Sequence, residues 1–295
     1  MNTDNKLQIG KYIDPLTDFG FKYLFGAEPN KDLLIDFLNA LFNGAKTITD
    51  LTYIKNEING PQKDMRRSVF DLLCTGTDGE KFILEMQRAR QEYFKDRTVF
   101  YTSTLIHEQA VKGKDWEYAL NEVYLVAIMD FSFDDSQEDL YLHRIGLRHE
   151  VTCDLFYEKL GYIFVELPKF KKQEADLSTD LDRWLYILKN MTKFDKIPVI
   201  LTKRIFEKIF RISEVANLKK EDYMEYEKAI LDRWAEKGVI DYASKEGEVK
   251  GEIKNQKATV LRMLKNSKLS VQKIANFAGV DESFVLDVKK DNNIA

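Results

Sequence analysis

The chain has 295 residues, 44% hydrophobic and 32% charged, with a formal net charge of −4, enough to bury one substantial core and a small second domain. The mild acidity argues against a general polyanion binder and leaves any nucleic-acid contact to local basic patches. No stretch approaches ~18 apolar residues and MNTDNKLQIG has no apolar signal core, so a soluble, cytoplasmic protein without a membrane partner is expected. Cys74 and Cys153 do not make a disulfide framework, and His107, His143 and His149 show no zinc spacing with them.

Asp14 to Gly26, DPLTDFGFKYLFG, holds a short helix candidate in which Asp18 and Lys22 stand four residues apart. On its own that spacing is a stabilising helix pair. Asn30 is placed to cap a helix running to Phe42, with Leu33, Leu34, Phe37, Leu38 and Leu41 on one face and Gly44 closing it. Leu51 to Ile58 reads as a strand ended by the Gly60-Pro61 break. Glu57 on it is either an exposed edge carboxylate or an accessory metal ligand. The following loop, PQKDMRR, is basic, and Arg66 and Arg67 would hold phosphates or simply be solvated.

Arg66 to Arg88, RRSVFDLLCTGTDGEKFILEMQR, is the stretch with chemistry in it. Phe70, Leu72 and Cys74 alternate with Val69, Asp71 and Leu73; Thr77-Asp78-Gly79 breaks the run; Phe82, Leu84 and Met86 then alternate with Ile83, Glu85 and Gln87. Period-two alternation around an Asp-Gly predicts a hairpin. With Gly79 as the left-handed residue of a three-residue turn, Phe70 faces Met86, Leu72 faces Leu84, Cys74 faces Phe82, and Asp71 lies opposite Glu85. A two-residue turn would put the two carboxylates on opposite faces. The three-residue turn keeps one face apolar and is preferred. Acidic groups on the other, apolar face are costly unless paired or bound to a cation, and Mg²⁺ would remove the repulsion between them. The competing reading is one carboxylate exposed at a strand end and paired with Arg66 or Arg88.

Asp71, thirteen intervening residues, then Glu85-x-Gln87 resembles the PD-(D/E)XK nuclease signature. Together with DPLTDFGFKYLFG and RTVFYTSTLIHEQ, the set resembles the Rpn family of recombination-promoting nucleases and putative transposases over roughly residues 12 to 255. The resemblance implies an α/β fold: a restriction-endonuclease-like αβββαβ core, its mixed sheet flanked by helices, with a helical C-terminal region. It implies Asp71 and Glu85 as metal ligands with the Met86 carbonyl as a third, Mg²⁺ or Mn²⁺ as cofactor, and DNA as substrate. Gln87 stands where the wider superfamily has Lys, and Gln neither carries charge nor acts as a base. On the family reading Asp18 and Lys22 line the site, with Lys22 supplying the cation that Gln87 lacks. The helix after the hairpin would pack beside the site, making Arg97 and Tyr101 candidates for orienting a phosphate; simple core and surface roles are the alternative.

That helix is expected over Gln91 to Val111, with Phe94, Thr98, Tyr101 and Leu105 at helical spacing. VYLVAIM, Val123 to Met129, reads as a strand buried on both faces after a helical crossover. Tyr141–Arg148, Val151–Tyr157 and Tyr162–Leu167 read as further strands. From Ser178 the chain turns helical, and residues 220 to 257 form a charged helical stretch with Gly247 and Gly251 four apart, serving contact in a homo-oligomer or only a frayed linker. Residues 254 to 295 carry eight Lys or Arg against four Asp or Glu and suggest three short helices resembling a helix-turn-helix, with Lys265 and Lys273 as phosphate contacts. The expected divisions are a nuclease-like domain over 1–170, a helical extension over 171–253 and a small helical tail over 254–295.

The first functional reading is a metal-dependent DNA endonuclease with Asp71, Glu85 and Gln87 as its catalytic set, tied by resemblance to recombination or mobile elements. The second is a DNA-binding or oligomerising module on a nuclease fold that no longer cuts. No Gly-rich phosphate loop follows a strand, so no nucleotide cofactor is expected.

Overall fold

The computed structural model describes residues 9–58, 68–110, 117–133, 137–292 and 294. The compact units are residues 1–230 and 231–295, and the expected divisions at 170 and 253 fall inside them. Among the described residues no helix is long and apolar enough to cross a membrane.

In the first unit, α1 (Asp18–Phe25) starts where the Thr17 hydroxyl accepts the Gly20 N–H at 2.9 Å. Helix α2 (Lys31–Phe42) buries the five apolar residues expected and ends at Asn43, which takes the left-handed conformation at φ 49°. Asn30 stands at its start, but its side-chain amide donates to the Tyr23 carbonyl instead of capping the helix. The strand expected over 51–58 is split into β1 (Leu51–Tyr53) and β2 (Glu57–Ile58) by a one-residue slip in register: Ile54 donates to Leu73 and Asn56 exchanges bonds with Phe70, so the same two segments stay paired. β2 joins β3 (Ser68–Val69) in a small separate sheet, while β1 joins β4 (Leu72–Gly76).

The main sheet adds β5 (Lys81–Gln87), β6 (Val123–Met129), β7 (Leu142–Arg148) and β8 (Leu155–Glu166), in the order β1-β4-β5-β6-β8-β7. β1, β4 and β5 run antiparallel, β5, β6 and β8 run parallel, and β7 closes the edge antiparallel to β8. Helix α3 (Phe94–Glu108) makes the crossover from β5 to β6. This is the expected αβββαβ core with a mixed sheet flanked by helices. One correction concerns the two strands expected over 151–157 and 162–167, which are a single strand, β8. Residues 151–154 form the turn before it, with Cys153 at φ 60°. The link is continuous through Gly161, where a Cβ would come within 2.9 Å of the Tyr124 ring.

The sheet has two unlike faces. Leu72, Cys74, Phe82, Leu84, Met86, Val126, Ile128, Ile163 and Val165 point into a core shared with α1, α2, α4 (Asp180–Asn190) and α5 (Arg204–Ile212). Trp184 sits at its centre, fully buried, its ring against Phe25, Phe37 and Phe206 and its N–H donating to Asp36 at 2.6 Å. Burying a side chain of this kind contributes roughly 1.5–3 kcal/mol. Leu73, Ile83, Leu125, Ala127, Met129 and Phe164 point the other way, onto Phe94 and Leu105 of α3. β6 therefore reads as an unbroken apolar run because each of its faces has its own helical cover.

Helix α6 (Lys220–Asn266) runs through the boundary at 230/231. In the second unit Val260 of α6 packs with Ile274 and Ala275 of α7 (Val271–Ala278) and Val285 and Val288 of α8 (Glu282–Asp291). Ser270 caps α7, and Gly279 ends it in the left-handed conformation at φ 64°. Of the three short helices expected here, the first is the end of α6.

Candidate active site

The hairpin turn follows the three-residue form. Gly79 donates to the Gly76 carbonyl at 3.2 Å with φ 86°, and Gly76 donates to Glu80 at 2.9 Å. The register that results sets Leu72 against Leu84 and Cys74 against Phe82, which leaves Glu85 on the α3 side with Ile83. The ladder ends at Leu72, so neither the Asp71–Glu85 nor the Phe70–Met86 strand pair forms as expected, and Phe70 leaves its expected face. Its N–H donates to the Asn56 carbonyl at 2.8 Å and its carbonyl accepts from the Asn56 amide at 2.9 Å. The chain bends at Asp71, and Phe70 turns to the α3 side, edge-on to Tyr101 at 4.8 Å.

That bend brings the carboxylates together. With no β4 backbone opposite it, the Met86 N–H is satisfied by Asp71 Oδ2 at 2.7 Å. The Asp71 N–H in turn donates to Glu85 Oε1 at 3.3 Å. Glu85 is 5% exposed. Burial, and then the charge of Asp71, push its carboxyl up to about 8, opposed by Arg97 and Lys22. Burial also raises Asp71, against the Met86 hydrogen bond and the charge of Lys22.

Three side chains frame the pair. The Arg97 guanidinium lies 3.8 Å from Glu85, donates to Gln87 Oε1, and is held by Gln91 Oε1 at 2.5 Å. It also lies over the rings of Phe94 and Tyr101, at 5.3 and 5.7 Å. Its Nε is buried with no hydrogen-bond partner. The Gln87 amide nitrogen donates to the Ala89 carbonyl at 2.9 Å, so both ends of that side chain are engaged. Arg97 and Tyr101, with Gln91 and Asp96, line an open cavity of about 630 Å³ along α3; neither Asp71 nor Glu85 lines it.

A sequence model described as PD-(D/E)XK nuclease family transposase matches residues 15–243. The chain belongs to this family. Comparisons with curated proteins and with solved structures found no match.

Within this PD-(D/E)XK family member the expected residues fall into groups. Asp71, Glu85, Met86, Gln87, Arg97 and Tyr101 come together as described. Asp18 and Lys22 form an ion pair at 2.8 Å on α1. They stand close enough for Lys22 to favour the ionised forms of both carboxylates and for Asp18 to oppose that of Asp71. Glu57 is exposed on β2, across from Val69. Lys265 and Lys273 are exposed in the second unit. Arg66 and Arg67 lie outside the described residues, so the competing pairing with Arg66 does too.

Gln91 was not singled out by sequence, and it holds the far edge of Arg97; the signal available was its place six residues before Arg97, at the entry to α3. A second missed cluster lies at the end of β8, where fully buried Glu166 accepts from His143 Nε2 at 2.6 Å and from Lys169 at 3.1 Å. A carboxylate ending the apolar run YIFVE was its signal.

Among the described residues no group of three or more His, Cys, Asp or Glu is placed to hold a metal. The site offers the smaller set of two carboxylates. Their buried, under-compensated charge fits a hard divalent cation whose remaining ligands are water and substrate oxygen.

Proposed function

We propose that this chain is a metal-dependent DNA endonuclease that hydrolyses phosphodiester bonds, using Mg²⁺ or Mn²⁺ at Asp71 and Glu85. The observation that carries the reading is the meeting of these two carboxylates in a buried site, where the Arg97 guanidinium stands 3.8 Å from Glu85. Divalent metals are the usual cofactors of this class of nuclease. A divalent ion held there would supply Lewis-acid stabilisation of charge developing on the scissile phosphate. Asp71 also fixes the backbone at Met86 through its hydrogen bond, so the Met86 carbonyl, the proposed third ligand, is held beside the pair.

Arg97 is pre-positioned to receive a phosphate. Its plane is fixed by Phe94, Tyr101 and Gln91, and its unpartnered Nε is a costly state that a phosphate oxygen would relieve. Gln87 cannot take a proton. Its amide holds Arg97 and keeps one N–H and one lone pair for orienting the attacking water. Backbone contacts from Lys22 and Arg97 would make binding salt-dependent and weakly selective for sequence.

A second reading, a DNA-binding or oligomerising module that does not cut, is favoured by the same Arg97. Its guanidinium already stands beside Glu85 where a cation would otherwise be needed. Incubating supercoiled plasmid with Mg²⁺, Mn²⁺ or EDTA, with the wild-type chain and Asp71→Asn, decides between them. Metal-dependent nicking lost in the variant supports the nuclease; DNA binding without nicking under any metal supports the module. Nicking that survives in Asp71→Asn would remove the site from Asp71.

A further inference from the structure

A second cavity, of about 490 Å³, opens between the first half of α3 and strands β7 and β8, and the chemistry above makes no use of it. Phe133, Tyr162 and Phe164 wall it, His143 stands within it, and Lys95 and Val99 form its rim. We infer that it receives one unstacked nucleobase of the DNA substrate, an inference that rests on the nuclease reading for the identity of the polymer.

The position of the cavity is the first argument. Strand pairing places Glu85 opposite Ala127, Ala127 opposite Phe164, and Phe164 opposite His143. The carboxylate and the aromatic wall thus belong to one row of the sheet, on the same face. They are two strand spacings apart, about 10 Å, which is one to two nucleotides of extended backbone. The residue between them in that row is Ala127, and the buried Phe94 ring of α3, 6.0 Å from Phe164 and 5.3 Å from the Arg97 guanidinium, links the two places. Helix α3 spans both places, with Lys95 at the cavity and Arg97 at the carboxylates.

The chemistry of the walls is the second. Phe133 and Phe164 meet edge to face at 5.7 Å, and the Tyr162 and Phe164 rings are nearly parallel. Phe164 is itself buried, so the faces offered to a flat π-system are those of half-buried Phe133 and Tyr162, and base–aromatic stacking tolerates any base. The polar groups are few and fixed. His143 is pinned by Glu166, which also accepts the Phe133 N–H at 3.2 Å, so one buried carboxylate sets both a ring wall and the imidazole. Lys95 lies over the Phe133 ring at 4.8 Å and adds a positive charge at the mouth, where the phosphate of an inserted nucleotide would lie.

The test measures binding apart from cutting. The full chain in EDTA is titrated against three labelled duplexes by fluorescence anisotropy: fully paired, carrying one unpaired adenine, and carrying an unpaired abasic residue at the same point. The unpaired adenine should bind about thirtyfold tighter than the abasic duplex, the mid-range effect of stacking one base on aromatic side chains. Val99→Trp fills the cavity from its rim at a residue that is 53% exposed, so the fold should tolerate it, and the preference should vanish with the melting temperature unchanged. Lys95→Ala, also exposed, is the second variant and should narrow the preference. Equal affinity for adenine and abasic duplexes, or a preference that survives both variants, overturns the pocket. Plasmid nicking without any base preference would overturn the pocket alone. A base preference in a chain that never nicks would overturn the nuclease alone, and no DNA binding of any kind would overturn both.

Discussion

The two faces of the central sheet are built from one set of strands, residue by alternating residue, and they differ in what their helices leave uncovered. The face under α1, α2, α4 and α5 is dominated by apolar packing, with Trp184, Phe25, Phe37 and Phe206 interlocked. The face under α3 is covered by one helix, and buried there are Glu85, Thr98, Thr102 and Glu166 among the apolar residues. Stability and chemistry are therefore separable by side, and substitutions on the two faces should fail in different ways.

The largest effect is expected at Asp71. Losing one of two charged ligands removes several kcal/mol of transition-state stabilisation, so Asp71→Asn should lower the nicking rate by at least about a hundredfold. The fold should survive, because Asn keeps a carbonyl oxygen to accept the Met86 N–H; the melting temperature of the same preparation checks this. Trp184→Ala should do the reverse. Emptying that site costs about 3–5 kcal/mol, so the melting temperature should drop by roughly 10 °C, while the protein that remains folded nicks plasmid at the wild-type rate. A Trp184→Ala protein that is stable and inactive would join the two faces functionally and break the comparison.

Glu85 sharpens it, because there function opposes stability. Its carboxyl is raised from 4.5 to about 8 in the folded chain. The folded state thus holds a proton that the unfolded state releases, and metal-free stability should fall as pH rises from about 4.5 to about 8. Over that window the loss is on the order of a few kcal/mol. Glu85→Gln should flatten this slope, melt higher than wild type at pH 8 without metal, and lose nicking. Divalent metal should stabilise the wild type at pH 8 and leave the variant unmoved. Equal pH slopes in the two proteins would mean that Glu85 is ionised and compensated without metal.

Most of this arrangement was legible in the sequence because it rests on local periodicity. The alternation from Leu72 to Gln87 and the left-handed demand at Gly79 fix a turn of three residues, and the turn fixes which face carries Glu85. Phe70 was misplaced for a physical reason: period two assumes an unbroken ladder, whereas one extra residue enters at Asp71, between the β2–β3 and β1–β4 pairings, and turns Phe70 to the other face. The strand break at 54–56 has the same origin, since nothing in LTYIKNEI marks a bulge in the segment it faces. Strand β8 was divided because Gly161 reads as a break, and its purpose, room for the Tyr124 ring, is a contact across the sheet. Arg97 was legible as a candidate through the family resemblance, which puts the helix after the hairpin beside the site. Its clamp by Gln87 and Gln91 depends on how the chain turns between β5 and α3, for which sequence proximity is the only signal.

The smallest effects, and the ones with opposite signs, belong to Asp18 and Lys22. As a half-exposed helix pair they should stabilise the fold by only a few tenths of a kcal/mol. Their charges act on the site in contrary directions: Lys22 favours the ionised form of Asp71, and Asp18 disfavours it. Metal binding needs the carboxylate, so the acid limb of the nicking profile follows this balance. Lys22→Ala should move that limb to higher pH, and Asp18→Ala should move it to lower pH, with nearly unchanged melting temperatures. Shifts in the same direction would point to a lost helix rather than a lost field. No shift in either variant would leave α1 as cover for the apolar face, and the burden of compensating the two carboxylates would fall on Arg97.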